Sequence, residues 1–286
     1  MIKIPERLAA SCAGNAERKV WLDRLPLSVA DLAGRWEIEL GDPFEGEDVS
    51  CAWVSVATRT DGTTAIFKVG MPHMEGDHEI AALRFLDGDP TVRILEWDEW
   101  SNAMLLERCI PGTTLREMFQ PDQDVVIAGL LKRFWRTVDD PHRFRPLSDM
   151  TTHWIKESIK TKSMWYDSVL VNEGLFLLEN LSASNVSTVL LATDLHAGNV
   201  LRAEREPWLA IDPKPFVGDR AFDATQHLLN CRSRLRLEPY PTMRRMADLC
   251  EVDYDRLRLW TFARLAAEPR SNWDDDSTYL AKLINN

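Results

Sequence analysis

Cysteine is scarce in this chain. Its five cysteines, Cys12, Cys51, Cys109, Cys231 and Cys250, are scattered, odd in number and contain no C-x-x-C pair. Secreted scaffolds rely on paired cysteines and structural zinc sites on closely spaced ones, so neither is expected; a reducing compartment, the cytoplasm, is the natural home. No stretch approaches the roughly 18 consecutive apolar residues of a membrane span. Residues 1–19 carry charges without a continuous apolar core, so neither anchoring nor export is expected. Internal repeats, low-complexity tracts and long linkers are also missing, which excludes solenoid and array architectures. Basic residues are the minority, 34 Lys and Arg against 45 Asp and Glu, for a net charge of −11. That balance disfavours nucleic acid or an anionic membrane as a partner and suits a cationic small molecule. With 286 residues, 45% hydrophobic and 28% charged, the chain can bury one or two ordinary cores and is not disordered.

What is present is more specific. The run Thr193-Asp-Leu-His-Ala-Gly-Asn199 is followed by Ile211-Asp-Pro-Lys-Pro215. Transfer of a γ-phosphoryl group needs little covalent help, but it needs an acceptor hydroxyl held in line and metal ions neutralising the phosphate oxygens. Asp194 can hold the hydroxyl, while Asn199 and Asp212 can hold Mg²⁺. The amide follows the first aspartate by five positions (199 − 194 = 5), the spacing of base and metal-binding Asn in kinase catalytic loops. Between Asn199 and Asp212, an apolar start (Val200, Leu201), a charged stretch ending at Pro207 and an apolar run over 208–211 predict a hairpin turning near Arg205. Folded about that turn, Asn199 faces Asp212. Directly opposed residues lie roughly 4.5–5.5 Å apart, near enough to share a hard cation that prefers oxygen ligands. A bare polar turn would account for Asp194 and Asn199 alone; it would not call for a second aspartate at the hairpin-matched distance.

Upstream, Asp61-Gly62 is a strong hairpin dipeptide between two strand-like stretches, 51–60 and 63–70. Lys68 shares a strand face with Ile66, while Phe67 and Val69 take the other, so neither face is simply solvated. The next segment, 74–86, has helical spacing and places Glu79, Leu83 and Leu86 on one stripe. An inward cation and an inward anion on successive elements imply an ion pair, the arrangement by which a strand lysine contacts α- and β-phosphates.

Together, Ala65-Ile-Phe-Lys68, Glu79, Thr193-Asp-Leu-His-Ala-Gly-Asn-Val-Leu201 and Ile211-Asp-Pro-Lys-Pro-Phe-Val-Gly-Asp219 resemble the aminoglycoside phosphotransferases. The resemblance is to the branch of aminoglycoside/hydroxyurea antibiotic-resistance kinases that includes streptomycin 6-phosphotransferases, and it runs from about Trp36 to the C-terminal helices. It implies an α+β, protein-kinase-like fold of two lobes: a small β-rich N-terminal lobe over 1–106, a linker over 107–112, and a larger, mainly helical lobe over 113–286. The cofactors it implies are ATP and Mg²⁺. Asp194 would be the catalytic base or hydroxyl-orienting carboxylate, Asn199 and Asp212 the Mg²⁺ ligands, and Lys68 the phosphate contact with Glu79 as its partner. Main-chain groups of Glu107 and Cys109 would hold the adenine edge. Asp223 resembles the aspartate that accepts hydrogen bonds from the catalytic-loop backbone in this fold, and a plain helix N-cap is the alternative for it. The implied reaction is phosphorylation of a hydroxyl on an aminoglycoside, foremost streptomycin.

Two departures stand out. Ala192 occupies the position two before the base, where kinases carry a bracing histidine. The loop expected over the phosphates, 41–48, lacks G-x-G-x-x-G and carries four acids, so any cradle must use backbone N–H groups or Ser50. Three functions therefore compete: an aminoglycoside kinase, a kinase for another small hydroxylated molecule such as hydroxyurea or a metabolite, and a pseudokinase-type nucleotide binder. A protein kinase fits poorly, because only 223 − 212 = 11 residues are available for an activation segment. For a cationic acceptor, Trp273-Asp-Asp-Asp276, Glu157 and Asp167 are the candidate acidic surface. Trp97, Trp100, Trp154 and Trp165 are expected mainly in packing, with one able to stack on a sugar ring.

Overall fold

The computed structural model describes residues 2–46, 51–140, 143–184 and 188–285. The chain divides into two compact units, Met1–Gly112 with Arg202–Ile211, and Thr113–Leu201 with Asp212–Asn286. The return of 202–211 to the first unit was not expected from the sequence. It follows from backbone bonds Val92 N–H to Ala210 O (3.0 Å), Ala210 N–H to Pro90 O (3.0 Å) and Gly112 N–H to Arg202 O (3.0 Å).

The first unit carries an antiparallel sheet of five strands, β1 (Ile38–Pro43), β2 (Ala52–Arg59), β3 (Thr64–Gly70), β4 (Ile94–Asp98) and β5 (Ala103–Glu107), in the order β1-β2-β3-β5-β4. The β2–β3 hairpin turns at Asp61-Gly62, as its dipeptide predicts. Asp61 Oδ1 accepts from the Thr63 N–H (2.9 Å), and Gly62 adopts φ 81°, a conformation that costs glycine no Cβ clash. Phe67 and Val69 point into a core shared with Leu25, Val29 and Leu32 of the helix Ala16–Arg35. Trp36 and Trp53 both meet Phe67 edge-on, at 5.6 and 5.9 Å between centroids. The helix expected over 74–86 is shorter, Glu79–Leu86, because turns occupy the residues before it. Of the loop expected over the phosphates, Gly41 to Pro43 belong to β1, while Glu47, Asp48 and Ser50 lie outside the described residues.

The second unit is mainly helical. The helix Tyr254–Ala267 is buried along its second half, from Trp260 to Ala267, while its first turns carry Asp255, Arg256 and Arg258. The short strands β6 (Thr188–Leu191) and β9 (Phe216–Asp219) pair antiparallel. Between them in sequence lie β7 (Val200–Arg202) and β8 (Trp208–Ala210), a two-stranded hairpin at the position the sequence predicts. Asp124, 1% exposed, ties helices together: it takes a two-pronged contact from Arg234 (2.9 Å each), one from Arg245 (3.1 Å) and one from His227 Nε2 (3.0 Å). Burial works against both charges, yet the hydrogen bond that His227 donates to Asp124 raises the imidazole to about 9. Cys231 completes a metal-like trio there, but the guanidiniums already satisfy the carboxylate, so the cluster is an ion-pair knot.

Among the described residues no helix is long and apolar enough to cross a membrane.

Candidate active site

In the first unit, β3 presents Lys68 and the helix Glu79–Leu86 presents Glu79 from its first turn. Lys68 Nζ donates to both oxygens of Glu79, at 2.6 and 2.7 Å, with the residues 9% and 3% exposed. The paired charges required by the sequence pattern are thus in contact. Because removing one partner leaves a buried uncompensated charge, each single change to Ala should raise the KM for ATP. The double change should cost less than the sum of the two. Strict additivity in that cycle would mean that the two residues do not act on nucleotide binding as a pair.

At the end of β5, the carboxylate of Glu107 is gripped by Arg205 Nε and Nη2 at 2.9 Å each. Its own backbone N–H donates to Arg93 O (2.8 Å), so any contact it makes with an adenine edge falls to its carbonyl. Cys109 is buried, and burial pushes its thiol up to about 11, which leaves the side chain inert as a nucleophile.

The second unit holds the residues of the expected catalytic loop. Asp223 is fully buried and accepts from Ala192 N–H (3.0 Å), Thr193 N–H (2.7 Å) and Trp135 Nε1 (2.8 Å). Burial pushes its carboxyl up to about 6 against the opposing pull of those three donors. It is the last residue of the helix Arg220–Asp223, whose N-cap is Asp219, so Asp223 is the loop brace and not a cap. This answers the question raised by Ala192: the loop is held through its backbone by a carboxylate, without a histidine. Thr193, at φ 48°, sits in the left-handed region and is pinned by its hydroxyl bond to Lys214 O (2.6 Å).

Asp194 follows directly. Its Oδ1 accepts from Gln226 Nε2 (2.7 Å) and its Oδ2 from the Lys214 ammonium. His196 Nε2 lies 3.8 Å from Oδ1, too far for a hydrogen bond, while its Nδ1 accepts from Gly198 N–H at 3.0 Å. A Cβ on Gly198 would fall 2.4 Å from the Arg116 guanidinium, so a larger residue there would have to displace that side chain. Asn199 Nδ2 donates to Asp194 O (3.0 Å), which turns the amide oxygen the other way, as a hard-cation ligand requires. Asp212 adopts φ 52°, an uncommon backbone state for a non-glycine that tends to persist at functional positions. An amide oxygen and a carboxylate form a donor set suited to Mg²⁺.

An open cavity of about 370 Å³, within the usual size of small-molecule sites, is lined by Gln226, Arg264, Glu268, Arg270, Asp275 and Ser277 among others. Through Gln226 it adjoins Asp194. The acidic surface expected for a cation is mostly neutralised within the unit: Glu157 pairs with Lys160, Asp167 with Lys282, Asp275 with Arg270, and Asp276 with Arg232 and Arg236. Trp273 is fully buried, whereas Trp100 is almost wholly exposed.

Sequence reasoning gave no role to Lys214, Gln226, Arg264 or Arg205. Arg264 carried a usable signal, a lone charge in Trp260-Thr-Phe-Ala-Arg-Leu-Ala-Ala267, where burial demands partners. Lys214, set between two prolines beside Asp212, carried a weaker one.

Residues 35–276 match the family described as aminoglycoside/hydroxyurea antibiotic resistance kinase. The chain is 35% identical to a streptomycin 6-kinase of Streptomyces glaucescens, covering 98% of this chain and 94% of that protein. It is 33% identical to a hydroxyurea phosphotransferase of Kitasatospora aureofaciens, covering 88% and 74% respectively. Among solved structures, a choline kinase of Streptococcus pneumoniae aligns with a TM-score of 0.61 over 92% of this chain and 98% of its own, at 13% identity. At that identity the likeness speaks for the fold, which is protein-kinase-like.

Proposed function

Because the chain belongs to the aminoglycoside/hydroxyurea antibiotic resistance kinase family, and so is a small-molecule phosphotransferase, we propose that it transfers the γ-phosphoryl group of ATP to a hydroxyl of streptomycin. The observation that carries this reading is the near-complete overlap with a streptomycin 6-kinase, 98% of one chain against 94% of the other. The hydroxyurea enzyme is matched over only 74% of its length and supports the second reading, a kinase for another small hydroxylated molecule.

In this reading Asp194 orients the acceptor hydroxyl and takes its proton as the hydroxyl oxygen bonds to phosphorus and the β–γ bridging oxygen leaves with ADP. Lys214, on the other carboxylate oxygen, lies where an ammonium can meet developing negative charge once the acceptor displaces it. Lys68, steadied by Glu79, contacts the α- and β-phosphates. The Glu107 carbonyl and the backbone of Cys109 hold the adenine. Asn199 and Asp212 would hold Mg²⁺, which when bound neutralises the phosphate oxygens. The acceptor enters the cavity beside Gln226, whose walls offer both carboxylates and guanidiniums.

Incubation with Mg·ATP and streptomycin should yield the antibiotic carrying one phosphoryl group, read by mass spectrometry, whereas hydroxyurea should yield none. Product from hydroxyurea or a neutral metabolite, with none from any aminoglycoside, would overturn the acceptor and leave the kinase core standing. Salt supplies a separate check on the acceptor's charge. With the carboxylates near the cavity already paired, attraction of a cation rests on the net charge of −11. The apparent KM for streptomycin should therefore rise as the Debye length shrinks from ~10 Å at 0.1 M to ~3 Å at 1 M. A flat KM across that range would remove electrostatic capture.

A further inference from the structure

We propose that Gln226, fixed by Arg264, is a positioning residue that sets the orientation of Asp194 for the acceptor hydroxyl; this rests on the reading of Asp194 as the proton acceptor. The case begins with Arg264, 4% exposed in the buried second half of the helix Tyr254–Ala267. Its guanidinium carbon lies 4.8 Å from the centre of the Phe222 ring and 5.5 Å from that of Trp154. Each of its three nitrogens has a defined acceptor: Nη1 donates to Thr225 Oγ1 (2.8 Å), Nε to Glu268 Oε2 (3.1 Å) and Nη2 to Gln226 Oε1 (2.6 Å). Two of those contacts, and both rings, hold Arg264 independently of Gln226.

A glutamine side chain can be turned end for end, so its direction needs an external reference. Arg264 provides one. Guanidinium groups only donate, so the atom 2.6 Å from Arg264 must be the amide oxygen. The NH₂ end is then the end facing Asp194 Oδ1 at 2.7 Å. The chain of bonds has one direction, Arg264 to Gln226 to Asp194, and the carboxylate is its terminal acceptor.

The two oxygens of Asp194 are therefore held differently. Oδ1 is held by an amide locked against a buried, three-point-anchored arginine. Oδ2 is held by an ammonium on a flexible stem, the partner that an incoming hydroxyl can replace. Gln226 fixes the plane of the carboxylate and leaves Oδ2 as the reactive oxygen. Because Gln226, Arg264 and Glu268 also line the cavity, the relay runs along the wall the acceptor would meet.

The test uses Gln226→Met, which keeps the volume and removes the donor, and Gln226→Glu, which keeps the shape and the acceptor for Arg264 but turns an oxygen on Asp194. Both should lower kcat for streptomycin phosphorylation by ~10–100-fold, the scale of a misplaced catalytic group, with little change in the KM for Mg·ATP or in thermal midpoint. Arg264→Met should lower kcat similarly alone and cost nothing further in the Gln226→Met background, since it acts through Gln226. Wild-type kcat in both Gln226 variants, or independent multiplying losses in the pair, would overturn the relay. A readout free of turnover is the Gln226 side-chain amide followed by ¹⁵N-correlated NMR. Its resonances should move on Asp194→Ala and on Arg264→Met, and unmoved resonances in both would refute the relay. If Asp194→Asn kept full turnover, or streptomycin gave no product, the base or acceptor reading would fall instead. The NMR result alone would then decide the geometry.

Discussion

Asp194→Asn is expected to lose ~10²–10⁴-fold in kcat, the contribution typical of a positioned proton acceptor, while Mg·ATP affinity stays close to wild type. The change keeps the shape of the side chain and an oxygen for Gln226, so loss of fold is not the cause of the effect. An amide cannot take the acceptor's proton, and it no longer offers a charge to the Lys214 ammonium. The expected separation of kcat from nucleotide binding follows from the local geometry. In the proposed reading Asp194 acts through its carboxylate, whereas its contact with the proposed metal ligand Asn199 runs through its backbone carbonyl, which the substitution leaves in place. Single-turnover phosphorylation of streptomycin alongside calorimetric Mg·ATP titration measures both quantities. Turnover at the wild-type rate would remove Asp194 from the chemistry. Equal loss of turnover and of Mg·ATP binding would point to a collapsed loop in place of a missing base.

Which parts of this site could be read from the chain depended on how local their logic is. The Asp194 to Asn199 spacing, the hairpin that leads to Asp212 and the Lys68–Glu79 pair are all set within short stretches, where turn chemistry and strand or helix period apply. The α+β class came with the family resemblance that those motifs carry, and the Asp61-Gly62 hairpin supplied one local piece of it. What the chain did not disclose are contacts closed across long separations. Gln226 meets Asp194 across 32 positions and Arg264 meets Gln226 across 38, and no local pattern pairs them. The acidic run before Asp276 suggested a free anionic face because its counter-charges, Arg232, Arg236 and Arg270, could not be located without the fold. The helix before Leu86 was expected too long because periodicity alone does not mark a start, and no capping side chain stands before Glu79. Asp223 was ambiguous for a different reason: a brace and an N-cap both call for a short acceptor near a helix, and only the observed donors, Ala192 and Thr193, separate them.

Asp212→Asn is expected to weaken Mg·ATP binding by on the order of tenfold or more, about 1.4 kcal/mol, and to leave metal-free ATP binding nearly unchanged. The substitution is informative because of the backbone on which it sits. Asp212 adopts φ 52°, where most side chains are strained but asparagine is among the better tolerated. The hairpin and the turn after β8 should therefore survive, and the lost quantity is the carboxylate charge a hard divalent cation prefers. Asn199→Ala should act in the same direction and less severely, since it removes a neutral oxygen and the bond that steadies the Asp194 carbonyl. Titration calorimetry with Mg·ATP and with ATP in a chelator separates metal-dependent from metal-independent binding. If Asp212→Asn bound Mg·ATP as tightly as the wild type, Asp212 would not be a metal ligand, and its left-handed backbone would be a feature of the turn alone. If it lost both forms of ATP equally, the defect would lie in the nucleotide site, and the division of labour between Lys68 with Glu79 and Asn199 with Asp212 would have to be redrawn.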